Sequence, residues 1–138
     1  MQQSFALQKQ TYVALGFSVG ATTLWQLAST SQPWLQQALC FYGGQIRHHW
    51  HLTPQVPIQL IWAQESHFDV TALHQQLQDC QQVTSVVTSY RHGFLNPHSS
   101  GFDAAAACHY QNLISQMLIS QALSLVNNSY LPVTQNLM

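Results

Sequence analysis

Four short apolar runs alternate with segments of helical periodicity along the chain. The first run ends at Phe17, and apolar residues then recur at helical spacing from Ala21 to Ala28. Continuous apolar runs are typical of strands that are buried on both faces of a sheet. The pattern therefore predicts an α/β fold with a mainly parallel sheet of about four strands, flanked by helices and joined by right-handed crossovers. The predicted strands cover residues 12–17, 38–42, 58–63 and 83–90.

Turn-forming and capping residues set the limits of these elements. Residues 45–57 contain two prolines and predict a loop, as do residues 91–101. Asp69 can cap the helix after the third run, and Asp103 can open the last and longest helix. The face of that last helix predicted to cover the sheet holds Tyr110, Leu113, Ile114 and Met117.

The domain organisation follows from the same pattern. We expect residues 1–126 to form a single truncated domain and residues 127–138 to form an irregular C-terminal tail. The Gln-rich start, up to about residue 10, predicts a short helix or a frayed end. The start lacks the features of a signal peptide and no apolar run has membrane-spanning length, so we expect a cytoplasmic protein with no membrane partner.

The composition is unusually poor in charge. Charged residues make up 5% of the 138 residues and the net charge is −1, whereas a quarter of a typical protein is charged. The chain therefore has no basic field that could hold nucleic acid. Weak self-repulsion predicts poor solubility or an oligomer. The three cysteines, Cys40, Cys80 and Cys108, are far apart within apolar patterns and predict buried thiols in a reducing compartment.

A motif with catalytic potential lies between the first run and the first helical segment. Gly16-Phe17-Ser18-Val19-Gly20 matches the G-x-S-x-G nucleophile elbow. In that turn the serine takes an unfavourable backbone conformation, and the residues two before and two after it must be small. The Val19 N–H, at a helix N-terminus, would then stabilise an oxyanion. The alternative is that Ser18 is a small residue in an ordinary strand-to-helix corner.

A candidate base follows the last strand. His92 would lie at the carboxyl end of the sheet, where active sites of parallel sheets gather, together with Ser18. A serine hydroxyl needs a base to accept its proton, and an imidazole that titrates near neutrality suits that role. The alternative is that His92 is one of eight histidines and lines a loop.

The chain from Tyr12 to about Leu123 resembles the C-terminal half of the dienelactone hydrolase family of α/β-hydrolases. The resemblance implies a partial α/β-hydrolase fold without its N-terminal half, with Ser18 at the nucleophile position and His92 at the base position. The best-known members of the family have cysteine where this chain has Ser18. The matching segments are the elbow, Phe41-Tyr42-Gly43, His92-Gly93-Phe94 and Asp103-Ala104-Ala105-Ala106-Ala107.

The acid of the predicted triad stays open at this point. Ser66 stands where the family has its acid, whose task is to hold the imidazole tautomer. Glu65 is adjacent and long enough to contact His92, and Asp69 is a second candidate that can also be a helix cap. The third possibility is that no carboxylate completes the triad.

The resemblance implies a serine hydrolase that acts on a small ester or lactone through an acyl-enzyme, without a cofactor. The second oxyanion N–H would come from the N-terminal half of the fold, and the first strand would be an open edge. We therefore expect a homo-oligomer, a complementing chain or a truncated remnant. The alternative function is a catalytically inactive half-fold that oligomerises or binds a partner.

Two aromatic loop residues and one histidine cluster complete the candidates. Trp50 and Phe94 are predicted to line an apolar acyl pocket, although loop aromatics also serve as simple packing. The segment Arg47-His48-His49-Trp50-His51 is not predicted to bind metal, because adjacent histidines do not share one face. No metal is expected.

Overall fold

The computed structural model describes residues 10–129, so the predictions for the N-terminal segment and for residues 130–138 fall outside the described part of the chain. Strands and helices alternate from the start. The elements are β1 (Tyr12–Phe17), α1 (Val19–Ala28), β2 (Leu35–Phe41), a 3₁₀ helix (Gly44–His48), β3 (Ile58–Gln64), α2 (Val70–Gln76), β4 (Val83–Arg91) and α3 (Ala104–Ser129).

The four strands form one parallel sheet in the order β1-β2-β3-β4. The predicted α/β fold with a parallel sheet flanked by helices is thereby confirmed. Within the described residues β1 and β4 are the edge strands. The register between β3 and β4 shifts between Trp62 and Gln64, at the end of β3 that leads into Glu65.

The sheet has two differently covered faces. On the first face, α1 and α2 pack over a closed core that includes Trp25, Cys40 and Trp62. On the second face, α3 packs over a smaller, aromatic core. Beyond Met117 the exposed side of α3 carries apolar residues, and it carries no Asp, Glu, Lys or Arg. These exposed residues include Leu118, Ile119, Leu123 and Val126.

Helix starts follow the predicted caps. The Asp69 carboxylate accepts a hydrogen bond from the Ala72 N–H at 3.0 Å, and the Asp103 carboxylate accepts one from the Ala106 N–H at 2.8 Å. Each carboxylate satisfies a backbone donor that the first turn of a helix leaves without a partner.

Several boundaries and burials differ from the expectations. The predicted loop 45–57 begins with a 3₁₀ helix, and α3 continues through residues 127–129, which were expected to belong to an irregular tail. β1 and β4 were expected to be buried on both faces, but β1 is largely half-buried or exposed and burial alternates along β4, because both are edge strands in the described sheet.

The expectation of three buried thiols was also wrong in part. Cys40 is buried, Cys80 is half-buried and Cys108 is exposed. Cys108 lies on the solvent side of α3, whereas Cys40 lies on a central strand under α1. All three cysteines have apolar neighbours in the sequence, but that pattern does not show whether each side chain faces the core or the solvent.

No helix within residues 10–129 is long and apolar enough to cross a membrane.

Candidate active site

The turn between β1 and α1 is strained at Ser18. Its backbone has φ 53° and ψ −116°, which is uncommon for a residue with a side chain. Such a conformation costs on the order of 1–3 kcal/mol and persists when the surroundings hold it. The Ser18 N–H donates to the Phe41 carbonyl at 2.9 Å, which ties the turn to β2. The G-x-S-x-G pattern thus forms a sharp strand-to-helix elbow.

The two glycines of the elbow are under different steric demands. A Cβ at Gly16 would lie 2.7 Å from the Gly20 backbone and 2.8 Å from the Ala21 Cα, so only glycine fits there without a shift. A Cβ at Gly20 would meet no atom within 4 Å. The expectation that both positions must be small is therefore corrected, because the backbone of the first turn of α1 crowds Gly16, whereas Gly20 faces open space.

The elbow directs the Ser18 hydroxyl at His92. Ser18 occupies the N-cap position of α1, yet its side chain makes no capping hydrogen bond. Its Oγ instead lies 3.0 Å from the His92 Nε2. These two residues are 74 positions apart in the chain, and the parallel sheet brings them to the same carboxyl edge.

The second nitrogen of His92 contacts a carboxylate. The His92 Nδ1 lies 2.6 Å from the Glu65 Oε1, and the Glu65 side chain is 7% exposed. Because an ionised carboxylate only accepts hydrogen bonds, the Nδ1–H donates to Glu65 and leaves Nε2 free to accept from the Ser18 hydroxyl. Of the two candidate acids, Glu65 contacts His92, whereas Asp69 caps α2.

Neighbouring side chains surround the Glu65 carboxylate. The His67 Nδ1 lies 4.0 Å from its second oxygen. The Gly44 backbone packs closely beside this carboxylate, since a Cβ there would lie 3.4 Å from the Glu65 Oε1 and would crowd the Phe68 ring at 3.2 Å. The Arg47 guanidinium lies over that ring, 4.7 Å from its centroid. The Glu65 carboxylate therefore lies between the imidazoles of His92 and His67, next to the backbone of Gly44.

Val19 is the first residue of α1 and is 70% exposed. N–H groups in the first turn of a helix have no intrahelical acceptor, and the helix dipole favours negative charge beside them. The position of the Val19 N–H is thus suited to an oxyanion formed on a group bound to Ser18.

A cavity of about 600 Å³ opens beside Ser18 and His92 on the α3 side of the sheet. Its walls include Phe17 and Tyr42 on the strand side and Ile114 on α3. This volume suits a small molecule. Mostly apolar walls beside a serine hydroxyl provide a place where an acyl group can lie next to the hydroxyl.

The two aromatic residues predicted for the pocket lie elsewhere. Phe94 is fully buried in the aromatic core, where it packs against Tyr42 and Tyr110, and its neighbour Leu95 lines the cavity instead. Trp50 is 48% exposed, contacts His51 and lies outside the walls of this cavity. Both residues do lie outside the strands and helices, but which side chain of a loop turns inward depends on its tertiary packing.

Tyr42 is a further residue of the site that sequence reasoning did not assign to it. Tyr42 lines the cavity, and its ring centroid lies 5.0 Å from that of His92. Its position directly after β2, the strand beside the elbow strand, was the available signal. Burial raises the pKa of Tyr42 above its ordinary value.

The described residues offer no metal centre: within 10–129, no three His, Cys, Asp or Glu side chains are grouped to hold an ion. What the arrangement supplies is a hydrogen-bonded series of hydroxyl, imidazole and carboxylate. Such a series can move a proton away from a serine oxygen while the oxygen attacks an electrophile.

Comparison with known proteins agrees with this architecture. The dienelactone hydrolase family model matches residues 2–121, and the chain therefore belongs to the dienelactone hydrolase family. It is also 36% identical over 94 residues to the uncharacterized protein YczH of Bacillus subtilis strain 168, an alignment that covers 66% of this chain and 46% of that protein. The chain thus spans about half the length of this curated relative.

Proposed function

We propose that the protein is a serine hydrolase of the dienelactone hydrolase type that acts on a small ester or lactone. The observation that carries the proposal is the pair of contacts made by His92, 3.0 Å to the Ser18 Oγ and 2.6 Å to the Glu65 Oε1. Membership of the family supports the same reaction class. The strained backbone of Ser18 supports it further, because strain of this kind clusters at functional sites.

In the proposed first step, the Ser18 Oγ attacks the ester carbonyl carbon while its proton passes to the His92 Nε2. The carbonyl oxygen becomes an oxyanion, which the Val19 N–H stabilises. The C–O bond to the alcohol then breaks, and His92 returns the proton to the leaving oxygen. Glu65 holds the Nδ1–H tautomer and stabilises the imidazolium. The product of this step is an ester between Ser18 and the acyl group.

In the second step, water completes the reaction. His92 takes a proton from the water, whose oxygen attacks the acyl carbon, and the bond to the Ser18 oxygen breaks. Ser18 regains a proton from His92, and the acid product leaves. No cofactor or metal takes part in this proposal.

The proposal requires a second donor for the oxyanion. Losing one oxyanion donor typically lowers turnover by about 10²–10³. We propose that a further polypeptide, a second copy of the chain or a complementing chain, covers the β1 edge and supplies this N–H. The exposed apolar side chains of Tyr12 and Phe17, at the two ends of β1, and of Val19, at the start of α1, support this proposal. Light scattering of the purified chain at increasing concentration would show a monomer throughout if no copy adds to this edge.

Some sequence-based expectations stay predictions. These are the single domain over residues 1–126, the cytoplasmic location and the lack of nucleic-acid binding.

A fluorophosphonate probe tests the proposal directly. The probe phosphonylates an activated serine, and we expect labelling of wild-type protein at Ser18, detected by mass spectrometry of the tryptic peptide. Matched Ser18→Ala and Ser99→Ala variants separate the candidate from another serine that lines the same cavity. Labelling should disappear in the first variant and persist in the second. A folded wild-type protein that takes no label would favour the inactive, partner-binding half-fold instead.

A further inference from the structure

Tyr42 is the other described residue, besides Ser18, that has a side chain and a positive φ, here 41°. Side chains alternate between the faces of a strand. Because Phe41 points to the α3 face, regular geometry would send the next side chain to the α1 face. Tyr42 instead packs in the same core cluster as Phe41. The strained backbone therefore turns the Tyr42 ring back towards the α3 face and the cavity.

The ring is held firmly in that position. Its centroid lies 5.0 Å from His92, 5.3 Å from Phe94 and 6.2 Å from Phe17. The whole residue is 4% exposed, and it lines the cavity together with Ser18. A strained and nearly buried aromatic residue beside the proposed nucleophile is pre-positioned towards whatever occupies the cavity.

The Tyr42 hydroxyl has no hydrogen-bond partner among residues 10–129. Buried tyrosine hydroxyls usually find such a partner. The described polar atoms that are both sealed and without a partner are the Thr22 Oγ1 and the Trp62 Nε1. Tyr42 does not belong to this set, is 4% exposed and lines the cavity, which together support a hydroxyl that faces the cavity.

The protonation of this hydroxyl makes it a donor. Burial raises the pKa of Tyr42, so the phenol keeps its proton at neutral pH and above. A neutral phenol can donate one hydrogen bond to an oxygen acceptor. Since the described residues provide no acceptor, a ligand oxygen is the natural partner.

We propose that the Tyr42 hydroxyl donates a hydrogen bond to a second oxygen of the substrate, distinct from the scissile carbonyl oxygen. The substrate class is then an ester or lactone that carries an ether, keto or hydroxyl oxygen close to the scissile bond. This inference rests on the proposed hydrolase function and deepens it. Tyr42 is a specificity-determining residue in this account.

An isosteric substrate pair tests the hydrogen bond. In p-nitrophenyl methoxyacetate an oxygen replaces one methylene of p-nitrophenyl butyrate, so the ratio of the two kcat/KM values reports recognition of that oxygen. A Tyr42→Phe variant keeps the ring and its packing and removes only the hydroxyl. One neutral hydrogen bond corresponds to a change of roughly 2- to 12-fold. We expect the ratio to fall by about 5-fold in Tyr42→Phe, and intrinsic substrate reactivity cancels in this comparison.

Tyr110→Phe is the matched control. Tyr110 belongs to the same aromatic core, and burial also raises its pKa, but it does not line the cavity. The ratio should be unchanged in this variant. A ratio that is the same in Tyr42→Phe and wild type would overturn the proposal, as would an equal fall in both variants.

A binding measurement separates this inference from the hydrolase proposal. The Ser18→Ala protein cannot form an acyl-enzyme, so methyl methoxyacetate and methyl butyrate can be titrated against it by NMR. We expect methyl methoxyacetate to bind more tightly than methyl butyrate. The ratio of the two Kd values should change about 5-fold towards methyl butyrate in the Ser18→Ala, Tyr42→Phe double variant. If Tyr42→Phe removes the preference for the methoxy ester but the wild-type protein takes no fluorophosphonate label at Ser18, the Tyr42 contact is supported and the hydrolase proposal is rejected. Labelling at Ser18 without any such preference would reject the Tyr42 contact alone.

Discussion

The two faces of the sheet differ in how completely the described residues cover them. The first face is closed by α1 and α2 over large buried side chains such as Trp25 and Trp62. The second face has α3 alone, and here the cavity opens beside Ser18 while apolar residues such as Ile119 and Leu123 stay exposed. The cavity thus opens on the face that α3 covers, and exposed apolar residues lie further along the same helix.

This difference separates scaffold from site. Stable burial on the first face holds β1, α1 and β2 in place, and these elements fix the strained backbone of Ser18. The second face leaves room for a ligand, and the helix that covers it exposes apolar side chains. Exposed apolar patches of this kind are typical of interaction sites. Four predictions sharpen the contrast between the faces.

The largest expected effect is on the proposed base. His92→Ala should lower ester hydrolysis at least about 10³-fold, because among the described residues the Ser18 hydroxyl makes its hydrogen bond to His92. Steady-state kinetics on p-nitrophenyl acetate measure the change. His98→Ala is the control, since His98 lies in the same loop and is exposed. Equal rates for His92→Ala and wild type would remove His92 from the mechanism.

The next effect is on the proposed acid. Glu65→Gln should lower kcat by roughly 10²–10⁴ while KM changes little, because the amide no longer stabilises the imidazolium at the His92 Nδ1. Asp69→Asn should leave both constants close to wild type, since asparagine caps helices as well as aspartate. If Asp69→Asn were the damaging change, the assignment of the acid would be reversed.

A third effect concerns the stability of the elbow, which the first face holds in place. Gly16→Ala should lower the free energy of unfolding by about 1–3 kcal/mol, because its Cβ would lie 2.7 Å from the Gly20 backbone. Gly20→Ala should raise it by about 0.5–1 kcal/mol, because alanine favours the helix and meets no atom within 4 Å. Urea denaturation of both variants measures the difference. Similar shifts in both would contradict the elbow geometry.

The smallest expected effect is the difference in reactivity between a buried and an exposed cysteine. Thiolates are the reactive form of cysteine, and burial raises the pKa of Cys40 from 9.0 to about 12. The folded protein therefore keeps Cys40 as a thiol. Its burial as a neutral thiol contributes fully to the stability of the fold below pH 9.0, and this contribution is lost as the pH rises from 9.0 towards 12. With iodoacetamide at pH 8.5, we expect exposed Cys108 to react and Cys40 to stay unmodified. Mass spectrometry distinguishes them, and early modification of Cys40 would show that the first face opens.

Local sequence patterns determined much of this protein. Apolar runs and helical spacing predicted four strands in a parallel sheet. Burial on both faces selects continuous apolar residues in the central strands β2 and β3, whereas the edge strands β1 and β4 are less buried. The caps at Asp69 and Asp103 were also predictable, because a short side-chain oxygen at a helix start satisfies a backbone donor in its own neighbourhood. The resemblance carried by the elbow and by His92-Gly93-Phe94 led to the family that the family model confirms.

Tertiary structure decided what depends on distant partners. Whether Glu65 or Asp69 contacts His92 is set by the direction of the chain after β3, where the register shifts, and no local pattern contains that direction. The inward turn of Tyr42 depends on a positive φ that a tyrosine adopts only when surrounding packing holds it. Likewise Phe94 entered the core while Leu95 lined the cavity, because neighbouring loop residues differ in direction only once the helix above them is in place.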